Sequence, residues 1–430
     1  MHFREDFIHA IWRYQYFEKR ELTTVSGLPL AIKKIGFQNF HEGPDFSEAH
    51  IILDGMDFFG SVEVHIKTSD WNAHGHENDK NYDAVILHVV WDHDTEVSRK
   101  DGTTIPTLAL KGRVFLDVLR NYQRLISTRK RLLCSDFLSE VKPIIKFSML
   151  ERALVERLQK KAQLIHQEVH ATAGDWEEVA YRWLFYCFGF KVNSTPMLKL
   201  AREMPYRLVK KHADQPLIQE ALLMGQAGFC YQENPDDYTF FMKREYEFYR
   251  KKYHLPEAIY PSEWKFMRVR PGNYPSVRIS QLVAILSNSP NLFSLLTHEV
   301  RKVSDLRQLF RAKPNGYWEY HYQLSKASGK PQNRLLSKRT LHLLGINFIV
   351  PLWYAYGKYT DEAEWRERCF DFLQDIPAEE NRIISAFTKE NWHPENAFDT
   401  QGMIGVHHLY CSPKKCLECK IGQNVLRPSK

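Results

Sequence analysis

The chain has no long apolar run. Its most apolar stretch, residues 341–356, is short for a bilayer span and contains Asn347 and Pro351. A buried helix is expected there, and no membrane partner. The first residues carry Glu5 and Asp6 early and hold no apolar run of signal-peptide length, so the expected location is the cytoplasm. Cysteine is scarce, with 7 thiols in 430 residues. In a reducing compartment so few thiols do not make a disulfide framework, and any cluster among them points to metal or redox chemistry. Repeats, low-complexity segments and disorder-type composition are missing too, which excludes solenoids and long linkers. Neither sign of charge dominates: 59 Lys and Arg stand against 52 Asp and Glu, a formal net charge of +7. That mild excess is compatible with a polyanionic partner without demanding one.

What is present is ample core material, 43% hydrophobic with 13% aromatic residues, over a length that suits two or three domains. Residues 7–17 have helical spacing. Strand-like runs follow at 28–35, 49–53, 60–68, 84–91 and 104–111, and 115–126 is helical again. Residues 84–91 are apolar on both faces apart from His88, as expected of a central strand. From about residue 147 the pattern turns helical. Leu150, Leu154, Leu158 and Ala162 form one apolar stripe, and 176–188, 216–224, 278–286, 292–299, 337–353 and 361–373 continue in kind. The expected organisation is an α+β domain over residues 1–140, followed by a larger, mainly α-helical domain over 141–430.

The most pointed stretch is Gly43-Pro44-Asp45-Phe46 followed by Gly60-Ser61-Val62-Glu63-Val64-His65-Ile66-Lys67. Val62, Val64 and Ile66 alternate with Glu63, His65 and Lys67, the period-two mark of a half-buried strand. Asp54-Gly55 before it is a hairpin turn signal. Pairing of the two strands brings Asp45 near Glu63, and two converging carboxylates call for a cation between them, Mg²⁺ or Mn²⁺ by its preference for hard oxygen donors. Such an ion activates water against a phosphodiester. The same alternation also fits a strand with a solvated polar face and cross-strand charge pairs.

At Pro44-Asp45 and Glu63-x-His65 the chain resembles the PD-(D/E)XK nuclease superfamily over roughly residues 5–115. The resemblance implies a mixed sheet with flanking helices, on which Asp45 and Glu63 bind the metal. It also implies a cation two residues after the Glu. His65 occupies that place, with Lys67 on the same strand face. The implied activity is metal-dependent hydrolysis of DNA or RNA; the alternative is a non-catalytic nucleic-acid- or protein-binding protein on the same fold. The loop after this strand, Asp70 to Tyr82, places His74, His76 and Tyr82 where they could line the same cleft as substrate-binding groups. A cupin is excluded there by the missing later half of its motif. Basic residues read as tracking a phosphate backbone include Lys33, Lys34, Arg124, Arg129, Lys130 and Arg131, and further on Arg268, Arg270 and Arg278 among aromatics.

The tail, Cys411-x4-Cys416-x2-Cys419, gathers three thiols within nine residues. Soft thiolates at this spacing favour Zn²⁺ or an iron–sulfur cluster. His408 would complete the site, or else one of Cys134, Cys187, Cys230 and Cys369. Such a site leaves no open position and would staple the tail onto the helical domain. Over its full length the chain resembles an uncharacterised bacterial family, a domain of unknown function. The resemblance rests on the Gly43–Phe46 motif, Arg270-Pro271-Gly272-Asn273-Tyr274-Pro275, Leu344-Gly345-Ile346-Asn347 and the cysteine tail. It implies no activity.

Overall fold

The computed structural model describes residues 4–39 and 41–428. The chain forms two compact units, the first comprising Met1–Met149, Ala386–Trp392 and Val406–Lys430, the second Leu150–Ser385 and His393–Gly405. The tail, read from sequence as part of the helical domain, therefore returns to the first unit. Sequence patterning detects the change from strands to helices but carries no signal for a return of the chain after more than two hundred residues.

The first unit is built on a mixed sheet. Helix α1 (Glu5–Tyr14) precedes strands β1 (Leu30–Lys34), β2 (Phe37–Gln38), β3 (Phe46–Leu53) and β4 (Met56–Lys67). A short helix α2 (Asp70–Ala73) and two 3₁₀ turns lead to β5 (Val85–Asp92), then β6 (Thr107–Ala109) and α3 (Leu116–Ser127). The sheet order is β1-β3-β4-β5-β6, with β2 also on β3. β3 and β4 form the expected antiparallel hairpin. Its turn residues Asp54 and Gly55 both take positive φ, 48° and 80°, as a hairpin of this twist requires. β5 pairs in parallel with both β4 and β6. A parallel neighbour needs a crossover, and here it is the segment containing α2 and the 3₁₀ turns. The chain entering β5 passes so close to β4 that a Cβ on Gly60 would stand 2.4 Å from the Ala84 carbonyl oxygen, so only glycine fits.

α1 presents Phe7, Ile8, Ile11 and Trp12 inward. The Trp12 indole donates to the Ile35 carbonyl at 3.1 Å, and Phe7 stacks on Tyr122 of α3. Val62 and Val64 are buried as expected, but Glu63 and His65 on the other face are buried too, only 4% and 1% exposed. The solvated-face reading of β4 is thereby corrected: the crossover folds back over that face and covers it.

The second unit is helical apart from the hairpin His321–Gln323/Lys326–Ala327. The stripe Leu154, Leu158 and Ala162 packs into one core with helix Trp176–Phe188, whose Asp175 cap accepts from the amides of Glu177 and Glu178. Several helices, Ser194–Glu203, Asp237–Tyr253 and Ala397–Val406 among them, have no counterpart in the sequence reading; in Asp237–Tyr253 the charged and aromatic residues obscure the period. The helix expected over 337–353 is interrupted by a π turn, Gly345–Ile349, before Val350–Thr360. Pro351 has no N–H for the carbonyl four residues back, and that carbonyl, on Asn347, accepts from the Cys187 thiol at 3.4 Å instead.

Gly225, in helix Pro216–Gln226, lies against Tyr246, where an added Cβ would stand 2.0 Å from the ring. Alanine usually stabilises a helix interior. Here overpacking outweighs propensity, and Gly225→Ala is expected to cost about 3 kcal/mol, read as a lower midpoint in thermal unfolding.

Candidate metal centre in the first unit

The loop into β3 sets the first carboxylate. Gly43 takes φ +100°, open to glycine, and the Asn39 side chain donates to the Glu42 and Pro44 carbonyls. Asp45 then enters the sheet beside Glu63. Its amide donates to Glu63 Oε2 at 3.0 Å, and its own Oδ2 accepts the Val64 amide at 3.0 Å. The two carboxylates expected to converge are thus interlocked through backbone amides.

Around Glu63 Oε1 lie imidazoles. His76 Nε2 is 3.3 Å away and His65 Nε2 3.6 Å. His65 Nε2 is 3.1 Å from His74 Nδ1, and its Nδ1 is 2.9 Å from His88 Nε2. One nitrogen from each of His65, His74 and His76 lies within 4.8 Å of the others. The crossover supplies both loop histidines, and its Tyr82 stacks on His76 at 3.8 Å between ring centres while Trp71 meets His76 edge-on. Beside this group sits a second, Glu5, His9 and Asp45, again with donor atoms within 4.8 Å. His9 Nε2 is 3.2 Å from Asp45 Oδ2 and 3.9 Å from Glu5 Oε1.

Burial governs the protonation of the site. It holds Glu63 well above the carboxylate range, and the Asp45 charge pushes the same way. It lowers His65 to about 2, helped by His88, His74 and His76, lowers His88 to about 3, and lowers His76 as well. Burial would also lower His9, but the hydrogen bond and charge of Asp45, with Glu5, outweigh it and the pKa rises. Tyr82 is pushed up to about 12, first by burial and then by Glu63 and Asp45, so its hydroxyl keeps its proton at neutral pH.

These properties fit a metal ion. Neutral imidazoles offer lone pairs, and a buried carboxylate beside another carboxylate is unstable as an anion without a cation. Two nitrogens bound at about 2.1 Å to one tetrahedral ion stand about 3.4 Å apart, close to the His65–His74 separation. The buried His76 Nε2 has no aligned hydrogen-bond partner, as expected of an atom awaiting a ligand. For His65 to present a lone pair at Nε2, its proton must sit on Nδ1, where His88 Nε2 accepts it. The His88 proton then lies on its buried Nδ1, and a bound ion is what would favour this arrangement over the reverse one. His74 is solvent-exposed and gives the group its opening.

Of the residues singled out from sequence, Asp45, Glu63, His65, His74, His76 and Tyr82 meet here. Lys67 does not: its exposed side chain points to Asp94, with Nζ 3.9 Å from Oδ2. Glu5, His9 and His88 escaped the sequence reading. Glu5 and His9 share a face of α1 at i,i+4 spacing, and His88 was the lone polar residue in an apolar strand opposite Glu63. Among the basic residues, Arg278 is buried, donates to Gln281 and lies over the Phe190 ring. Lys34 and Lys130 pair with Glu48 and Asp136. At the tail, Cys411, Cys416 and Cys419 line one void with Cys134, whereas His408 is exposed and is not among its lining residues.

Among the described residues no helix is long and apolar enough to cross a membrane. The chain belongs to the family described as protein of unknown function DUF2851, whose sequence model matches residues 5–382. No curated protein and no solved structure matches it.

Proposed function

We propose that the first unit is a metal-dependent hydrolase of phosphodiester bonds, a nuclease acting on DNA or RNA. The observation that carries the reading is the convergence of His65, His74 and His76 on one another, with the buried Glu63 beside His65 and His76 and a second group of Asp45, Glu5 and His9. The donor set shifts the choice of ion. Three imidazoles with a carboxylate favour a first-row transition ion such as Mn²⁺ or Zn²⁺ over Mg²⁺, which prefers oxygen. His65, His74, His76 and Glu63 would hold it, and Asp45, His9 and Glu5 would hold a second ion or orient its water. When bound, such an ion supplies a water of lowered pKa and stabilises charge on the phosphate.

The chain's own residues have separable tasks. His88 would accept the Nδ1 proton of a metal-bound His65. The Val64 amide keeps Asp45 turned toward the site. His9, its pKa raised by Asp45 and Glu5, sits beside Asp45 and can carry a proton where no second ion is held. Tyr82 and Trp71 wall the site and hold His76. His65 thus stands as a donor where the nuclease superfamily places a lysine, and this replaces one kind of assistance by another.

The test uses the purified full chain with single- and double-stranded DNA and with RNA, in Mn²⁺, Zn²⁺ and Mg²⁺. Cleavage is expected to be strongest with Mn²⁺ or Zn²⁺ and abolished by chelator. His74→Ala, at an exposed position that the fold does not depend on, is expected to lower activity at least about 100-fold. Undiminished cleavage by this variant removes the assignment. Salt-sensitive binding without turnover points instead to a non-catalytic binding protein.

A further inference from the structure

The first unit contains four of the seven cysteines, Cys134, Cys411, Cys416 and Cys419, and all four line a single void. They come from three separate segments. Cys134 follows α3, Cys411 ends a π-helical turn, His407–Cys411, and Cys416 and Cys419 bracket a tight turn before the last helix, Lys420–Leu426. The remaining thiols, Cys187, Cys230 and Cys369, lie in the second unit, where Cys187 and Cys369 donate to backbone carbonyls. Chance does not readily sort thiols this way, since free cysteines otherwise disperse as small buried hydrophobes.

The backbone around the tail is shaped for convergence. Lys414 takes φ +60°, turning the chain between Cys411 and Cys416. The Lys415 amide donates to the Tyr410 carbonyl at 2.7 Å, and the Cys419 amide to Cys416 at 3.2 Å. Gly422 presses on this turn so closely that a Cβ would stand 2.0 Å from the Cys416 carbonyl oxygen. The void measures about 20 Å³, room for one water-sized body. Its other walls are apolar, Phe387, Trp392, Val406 and Tyr410 among them, so it offers water no polar partners beyond the thiols. Four cysteines lining one dry space, three of them at C-x4-C and C-x2-C spacings, are the residue set a thiophilic metal would draw together.

We propose that Cys134, Cys411, Cys416 and Cys419 form a closed four-thiolate centre for a single thiophilic metal ion, zinc, since the void has no room for a cluster of several iron and sulfide atoms. Cys134 takes the place read from sequence for His408. With all positions filled by protein, the centre is structural: it ties the segment after α3 to the end of the chain within the first unit. It is independent of the histidine site and of the hydrolase reading.

The experiment titrates the purified full chain with an organomercurial thiol reagent and follows metal release with a chromogenic chelator. A thiol reagent frees metal held by sulfur and leaves metal held by histidine. One equivalent of zinc released without visible absorbance identifies a zinc ion. Iron with acid-labile sulfide and a visible band, bleached by the reagent, would identify a cluster and overturn the single-ion centre. The zinc result supports the centre, provided Cys134→Ser loses the released metal and Cys230→Ser keeps it. Should Cys134→Ser fail to accumulate, the wild-type protein still decides: chelation must raise the number of reactive thiols by four. The proposal is overturned by aerobic and anaerobic preparations that release no metal, by a disulfide among these four cysteines, or by full release from Cys134→Ser.

Discussion

Replacement of Glu63 by glutamine is expected to make the metal-free protein more stable while removing its response to metal. The side chain is 4% exposed, and burial together with Asp45 holds its pKa far above the ordinary value. A group whose folded pKa is raised stabilises the fold below its unfolded pKa, near 4.5, and loses that contribution as pH rises toward the folded value. At pH 8 the wild-type protein therefore bears a penalty that glutamine does not. Glutamine is isosteric: its carbonyl can still accept the Asp45 amide, and its NH₂ can donate toward His76 or His65. The apo melting temperature at pH 8 is expected to rise by on the order of 5 °C. Divalent metal should raise the wild-type midpoint by binding the folded state, and should leave the variant's unchanged. Hydrolysis should fall by about 10³-fold or more, the scale of losing a metal ligand together with transition-state charge stabilisation. A variant that is less stable than wild type and still stabilised by metal would contradict both the burial argument and the site.

The second large effect is a stability optimum near pH 6.5 in the metal-free first unit. His65 and His88, at 1% and 0% exposure, are held neutral by burial, with pKa values lowered to about 2 and about 3. Groups with depressed folded pKa contribute stability that is complete above the unfolded value and is lost progressively as pH falls toward the folded one. From about pH 6.5 to 4.5, unfolding takes up two protons at these histidines and releases one from Glu63. The net loss is about 1.4 kcal/mol per pH unit as pH falls. Above pH 6.5 only the Glu63 term remains, with opposite sign, and stability falls as pH rises. His76, lowered, steepens the acid limb, and His9, raised, steepens the alkaline one. Hydrogen exchange of the β4 and β5 amides isolates this unit from the other. Metal should flatten the alkaline limb by compensating the Glu63 charge, as should Glu63→Gln. Proton NMR of the His65 and His88 rings should show no titration between pH 5 and 8. A midpoint near 6.5 for either ring would refute the burial assignment.

Much of the architecture was legible because it follows from local pattern. The alternation in β4, the Asp54-Gly55 turn and the apolar run of β5 each specify their element without help from the rest of the chain. The site was legible only where its residues share an element. Asp45 and Glu63 are one hairpin apart, so their meeting follows from strand pairing. His65 was visible as the residue replacing a lysine, but its roles toward His88 and His74 were not. His9 and Glu5 come from a helix whose sequence reads simply as amphipathic. Lys67 shows the opposite failure: alternation puts it on the face of Glu63 and His65, yet the cover over that face ends before reaching it, and its charge goes to solvent and Asp94.

The sequence by itself determined the change from a sheet-forming segment to a helical one, the Asp45–Glu63 pairing and the thiol spacing of the tail. These depend on side-chain periods of two and 3.6 and on turn chemistry, which act over a few residues. The tertiary structure alone decided that the polar face of β4 is buried, that Glu5, His9 and His88 join it, and that Cys134 meets the tail. Each of these depends on long-range closure, where the parallel β4–β5 crossover and the returning C-terminal segment bring together groups that have no local relation. Burial then turns ordinary carboxyl and imidazole groups into a carboxyl short of a cation and a set of neutral donors.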